Sequence, residues 1–259
     1  MPTLEDFTLA LRAYQQVQVE MGTRTPGEGE IAPRAIDALQ RAGPLPDQSV
    51  VFGIASDGLP LLLQLDSPFI GPILLLADKG SGKTAFLQTL AQSAHRFSSA
   101  EQMAILALTD FPEEWCSQDM PDRNFRVYPA YEQESVDMML CLAEWSASGR
   151  RDGSILLLFD GLDSVLHLSD EGQQAFAFLL EHGPASCVWP VVAVNSARAC
   201  KLPEWLAFFQ TRIYGRIANP HLGEELTHRP GAPLDSLFPG AEFCMRHQSR
   251  WLRFWLPRF

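Results

Sequence analysis

The sequence predicts an α/β protein: a mainly parallel sheet with helices on both faces, extended by β-hairpins and preceded by a helix. Three observations predict it. Almost wholly apolar runs of strand length, "PILLLA", "MAILALT", "SILLLFD" and "PVVAVN", alternate with helical stretches, as strands covered on both faces require. The first of them leads straight into "ADKGSGKT" (Ala77–Thr84), a Gly-rich turn of the kind that wraps phosphate. Segments on either side of this alternation read as β-hairpins.

The elements follow in chain order. Residues 3–21 read as a helix, because Leu4, Phe7, Leu11 and Tyr14 recur at spacings of three and four. Their stripe suits packing on the main domain or on a neighbouring subunit. "MGTRTPGEGEIAPR" (21–34) is a loop or linker, with a short helix around 34–42. Residues 1–45 are therefore expected to form an appendage, and 46–259 the main domain. "VVFGIASDGLPLLLQL" reads as two strands around an Asp57-Gly58 turn. Then come strand 72–77, helix 82–95, strands 103–109 and 125–129, helix 132–147, strand 154–160, helix 170–182 and strand 189–195. The tail returns to β in "TRIYGRI", "AEFCMR" and "RWLRFWL".

Composition excludes several classes. The chain has 259 residues, 46% hydrophobic and 20% charged, as in ordinary globular proteins. No apolar run reaches the roughly 18 residues of a membrane helix, and the N-terminus lacks the basic and apolar regions of a signal peptide. No membrane insertion and a cytoplasmic location are expected. The five cysteines form no CxxC pair, and the six histidines have no ligand spacing. The net charge of −11 argues against a broad nucleic-acid-coating surface.

The phosphate loop carries the chemistry. Ala77, Gly82, Lys83 and Thr84 meet the pattern [AG]xxxxGK[ST] between a buried strand and a helix. Gly80 and Gly82 let backbone N–H groups point inward at phosphate oxygens, and the helix N-terminus adds its positive field. The candidate nucleotide-binding residues are Ala77, Asp78, Lys79, Gly80, Ser81, Gly82, Lys83, Thr84 and Ala85. Lys83 would reach the β- and γ-phosphates and Thr84 would hold Mg²⁺. Asp78 is expected to point outward beside Lys79.

A second acid belongs at the end of a neighbouring strand. "SILLLFD" supplies Asp160, the candidate partner of Thr84 in holding Mg²⁺. Hydrolysis also needs a group that polarises water. The position after Asp160, where many such enzymes carry glutamate, is Gly161. Asp163 in "DGLDS" and Asp110 after strand 103–109 are the alternatives. Asn195 and Ser196 in "VNSAR" read either as sensors of the γ-phosphate or as a helix cap.

These motifs occur in an order that resembles the HerA–FtsK superfamily of P-loop ATPases, over about residues 50–257. The opening "FGIASDGLPLLLQLDSPFIGPILLLADKGSGKTAFLQTL" is similar to that family's hairpin, strand, phosphate loop and helix. "ALTDFPEEW", "ILLLFDGLDSV", "VVAVNSAR", "FFQTRIYGRI" and "LFPGAEFCMRHQSRWLRFWLP" resemble its later segments in turn. The resemblance implies a RecA-like P-loop NTPase core, ATP and Mg²⁺ as ligands, and a homo-oligomer, a hexameric ring with nucleotide between subunits. It also implies an ATPase motor that moves a polymer, DNA first and polypeptide second. A neighbour's arginine would complete the site in trans, with Arg212, Arg216 and Arg198 as candidates. The catalytic set is then Lys83, Asp160, Asp163, Asn195 and Arg212. Residues 116–126, with Arg123 and Arg126, are the candidate mobile insertion. Arg246, Arg250, Arg253 and Arg258 form a basic C-terminal cluster or one solvated face. "DGLDS" also resembles the "D-G-x-D-E" signature of NACHT-type ATPases, which implies a nucleotide-dependent regulatory switch or a catalytically weak subunit instead.

Overall fold

The computed structural model describes residues 39, 45–46, 49–65, 71–98, 103–115, 124–149 and 153–259. The predicted N-terminal helix, the linker, nearly all of the 34–42 helix and Arg123 lie outside these residues.

Among the described residues, one ten-stranded sheet runs in the order β2-β1-β10-β9-β8-β3-β7-β6-β4-β5. Its parallel part holds β3 (Ile73–Ala77), β4 (Met103–Thr109), β5 (Phe125–Pro129), β6 (Ser154–Asp160), β7 (Val188–Asn195) and β8 (Thr211–Tyr214). Three of these strands, β4, β5 and β6, span the residues that apolar patterning predicts. Residues on successive positions of β3 enter opposite cores, because side chains alternate along a strand. Leu74 and Leu76 join the cluster under α2 (Gln133–Ala147) and α3 (Asp170–His182). Ile73 and Leu75 join the cluster under α1 (Lys83–Phe97), with Phe86, Leu87, Leu90, Ala91 and Ala94. Both faces are thus covered, and this explains the absence of polar alternation in these strands.

The antiparallel part is built from the two hairpins. β1 (Ser49–Ala55) and β2 (Pro60–Gln64) meet around Gly58, whose φ of 80° the turn requires. The Asp57 carboxylate accepts from the Leu59 N–H at 2.9 Å. β9 (Glu242–His247) and β10 (Arg250–Trp255) pair over six residues, from Arg250↔His247 to Trp255↔Glu242. β9 joins β8, and β10 joins β1, so the first and last described strands pair with each other. Phe86, Phe243 and Phe254 pack together behind this seam, with ring centroids 5.0 Å apart for Phe86–Phe243 and 6.2 Å for Phe243–Phe254.

Short helices link β7 to β8 and β8 to β9. They are α4 (Ser196–Ala199), α5 (Pro203–Leu206) and α6 (Pro220–Thr227). The last was not anticipated from periodicity. Its signal is local: Asn219 caps the N–H groups of His221 and Leu222, and Pro220 sits at the first helical position.

β3 stands between β7 and β8, both far later in sequence. The chain leaves β3 through α1 toward β4 on one side, and returns from β7 across β3 to β8 on the other. A crevice outside the strand carboxyl ends at such a point is where open α/β sheets bind ligands.

Candidate nucleotide site

The Gly-rich loop 78–82 follows β3 at that point. Gly80 and Gly82 have φ of 77° and 84°, a region L side chains rarely adopt. A Cβ on Gly82 would also lie 2.6 Å from the Gly240 Cα, so the loop is pressed against the β8–β9 connection. α1 starts at Lys83 with no side-chain cap and no acid in its first turn. Its first N–H donors therefore remain for an anion. The Lys83 ammonium donates to the carbonyls of Ala77 at 3.2 Å and Asp78 at 2.9 Å. Burial pulls its pKa down, against the opposing pull of the Asp160, Asp78 and Asp163 carboxylates.

The second acid meets the loop directly. The Thr84 hydroxyl donates to the Asp160 Oδ2 at 2.7 Å. Asp160 ends β6, and α1 brings Thr84 over it. Burial holds the Asp160 carboxyl above its ordinary range; the Thr84 hydroxyl pulls it down, the Glu114 carboxylate raises it further, Lys83 lowers it and Asp110 raises it. A hydroxyl and a carboxylate beside a phosphate cradle are the hard oxygen donors that suit Mg²⁺, which keeps much of its shell as water and phosphate. The described residues hold no group of three His, Cys, Asp or Glu side chains able to cage a metal alone. The donor set fits a cation brought with a nucleotide.

Asp78 corrects the expectation of an outward carboxylate. It is turned inward: the Ser196 hydroxyl donates to its Oδ1, and the Ala218 N–H donates to its Oδ2 at 2.8 Å. Its own N–H donates to the Arg216 carbonyl at 3.0 Å. Asp78 thereby ties the phosphate loop to the ends of β7 and β8, while Lys79 beside it is exposed. Ser81 is buried and Ala85 half-buried.

The remaining predicted residues are put to local uses. The Asn195 side chain accepts from the Ala197 N–H at 3.0 Å and so caps α4. Ser196 is committed to Asp78. Asp163 forms an ion pair with Arg198 of its own chain. The Asp110 Oδ2 accepts from the Ser164 hydroxyl. Gly161 has a φ of 130°, and an added Cβ would lie 3.3 Å from the Ser164 Oγ. An L side chain in this backbone conformation would be strained.

The arginines likewise act within the chain. Arg212 donates to the carbonyls of Leu206 (3.0 Å), Phe209 (3.3 Å) and Leu226 (3.5 Å), and so holds α5 and α6 to β8. Arg216 donates through Nε to the Asp235 carbonyl at 3.3 Å. Arg253 meets Glu242 through two contacts of 2.7 and 2.9 Å, so the C-terminal basic cluster is in part an ion pair. Arg126 is exposed on β5, the strand at one edge of the sheet.

No protein-family profile matches this chain, and no curated protein sequence does. Solved structures do share its fold. Thermomonospora curvata EccC (ATPases 2 and 3), in complex with a signal sequence peptide, is 12% identical with a TM-score of 0.66, over 92% of this chain and 46% of its own. The pCW3 conjugation coupling protein TcpA, in a monomer form with ATPγS, is 12% identical with a TM-score of 0.65, over 95% of this chain and 81% of its own. B204, the DNA-packaging ATPase of Sulfolobus turreted icosahedral virus, is 11% identical with a TM-score of 0.50, over 73% of this chain and 98% of its own. This chain spans less than half of the EccC chain. The fold is therefore the one these P-loop ATPase structures share, a mainly parallel RecA-like sheet with helices on both faces. Among the described residues, no helix is long and apolar enough to cross a membrane.

Proposed function

We propose that this chain binds Mg²⁺–ATP and hydrolyses it as one subunit of a polymer-moving ring motor. The observation that carries the nucleotide half is the 2.7 Å bond between Thr84 and Asp160, set beside Lys83 and the left-handed glycines of the loop. Lys83 would swing from its loop carbonyls to the β- and γ-phosphates, Thr84 and Asp160 would hold the cation, and the α1 N-terminus would face the phosphates. The cation supplies charge neutralisation at the γ-phosphate. Support for the motor half comes from the fold shared with a conjugation coupling protein, a DNA-packaging ATPase and a secretion ATPase. DNA is the first cargo to test and polypeptide the second.

A switch is the second reading, and Gly161 favours it. Gly161, which has no side chain, and the Asp163–Arg198 pair leave β6 without a free water-polarising carboxylate. The test is steady-state ATP turnover with and without double-stranded DNA at low salt, with particle mass by light scattering. DNA-stimulated turnover by a closed ring supports the motor. Tight binding by a monomer with no stimulation supports the switch.

A further inference from the structure

Hydrolysis of a bound nucleotide needs an acid near the γ-phosphate that is open to water. Four carboxylates other than Asp160 border the crevice. Asp78 is clamped to Ser196 and Ala218, Asp163 is paired with Arg198, and Asp110 accepts from Ser164. The fourth is Glu114, in a single 3₁₀ turn (Pro112–Trp115) that follows β4. Its side chain is exposed and has no partner among the described residues.

Strand register and a bond to α1 bring the turn that carries Glu114 toward the Thr84–Asp160 pair. β4 is the direct neighbour of β6, and Thr109 lies opposite Asp160 in register. The turn starts three residues later. It is fastened to α1 by Gln88, whose side chain donates to the Glu114 carbonyl at 2.8 Å. Gln88 lies one helical turn after Thr84, on the same face of α1. Thr84 in turn donates to Asp160. Trp115 is buried and stacks on Phe125, with centroids 6.1 Å apart, which anchors the far end of the turn. Glu114 is thus held from β4, α1 and the core. Its charge is also felt at Asp160.

We propose that Glu114 is the catalytic carboxylate that polarises the attacking water, taking over from the neighbouring strand the task that Gly161 cannot perform on β6. The water oxygen attacks the γ-phosphorus while the bond from that phosphorus to the β–γ bridging oxygen breaks. The water proton passes to the Glu114 carboxylate, and ADP and inorganic phosphate leave. The assignment rests on the nucleotide reading above.

The experiment pairs Mg²⁺–ATP affinity by calorimetry with turnover, for the wild type, Glu114→Gln and Glu113→Gln. Glu114→Gln should leave affinity unchanged and lower turnover about 100-fold or more, while Glu113→Gln should change neither. Undiminished turnover by Glu114→Gln overturns the assignment. So does a parallel loss of affinity and turnover, which would make Glu114 a cation-holding or structural group. A wild type that binds Mg²⁺–ATP without turning it over also overturns it, yet leaves the nucleotide site standing. A wild type that fails to bind overturns the site itself.

Discussion

The two sides of the crevice are built differently. On the phosphate side, left-handed glycines, an uncapped helix start, a lysine and a hydroxyl–carboxylate pair converge within one chain. On the other side, the turn after β6 is a positive-φ glycine followed by an acid already paired with arginine. The difference teaches that the proposed binding and the proposed hydrolysis would draw on separate elements. The phosphate side is fixed by β3, α1 and β6. The water side is open to relocation, because any neighbouring strand end can deliver a carboxylate to the same crevice.

The largest test of this contrast removes the phosphate side. Lys83→Ala should weaken Mg²⁺–ATP binding by about 100-fold or more, since charge-assisted contacts contribute roughly 1.5–3 kcal/mol each. Unchanged affinity by calorimetry would break the contrast at its root. Asp160→Asn should weaken the Mg²⁺-dependent part of binding by roughly 10-fold or more. An identical Mg²⁺ titration in variant and wild type would remove Asp160 from the site.

Asp160→Asn also makes a stability prediction. Burial raises the folded pKa above the unfolded value, so ionising Asp160 costs stability. That cost is absent at low pH and appears as pH rises through the raised value. The nucleotide-free variant should therefore melt above the wild type at neutral pH, and the gap should close as pH falls toward 3.8.

Next in size is Gly161→Glu. A simple missing-glutamate argument expects it to restore turnover. The φ of 130° instead predicts a loss of about 1–3 kcal/mol in chemical denaturation, with no gain in turnover. A stable and faster variant would return the water side to β6. The smallest effect belongs to Arg198→Ala. An exposed pair contributes about 0–1 kcal/mol, so stability should barely move, and turnover should stay unchanged if Glu114 serves the water. A rise in turnover would give that role to a released Asp163.

Much of this was legible in the sequence. β4, β5, β6 and α3 fall where apolar runs and helical spacing put them, because each buries a face that the pattern declares. The loop and Asp160 were legible because their chemistry demands fixed spacings and a strand end. Glu114 and the inward turn of Asp78 were not. Their partners lie far along the chain: Gln88 is 26 residues from Glu114, Ser196 is 118 from Asp78, and Ala218 is 140 from it. The contacts of Arg212 were not legible either, since nothing local reveals that carbonyls of α5 and α6 surround it.

The sequence by itself determined the layered α/β core, the phosphate loop and the acid opposite it. Those features arise from periodicity, glycine backbone freedom and short-range spacing, which are local properties of the chain. Only the tertiary structure decided that Asp78, Asp110 and Asp163 have partners within the chain and that Glu114 is exposed. That choice depends on hydrogen bonds and ion pairs between elements that the strand order, not the sequence order, brings together.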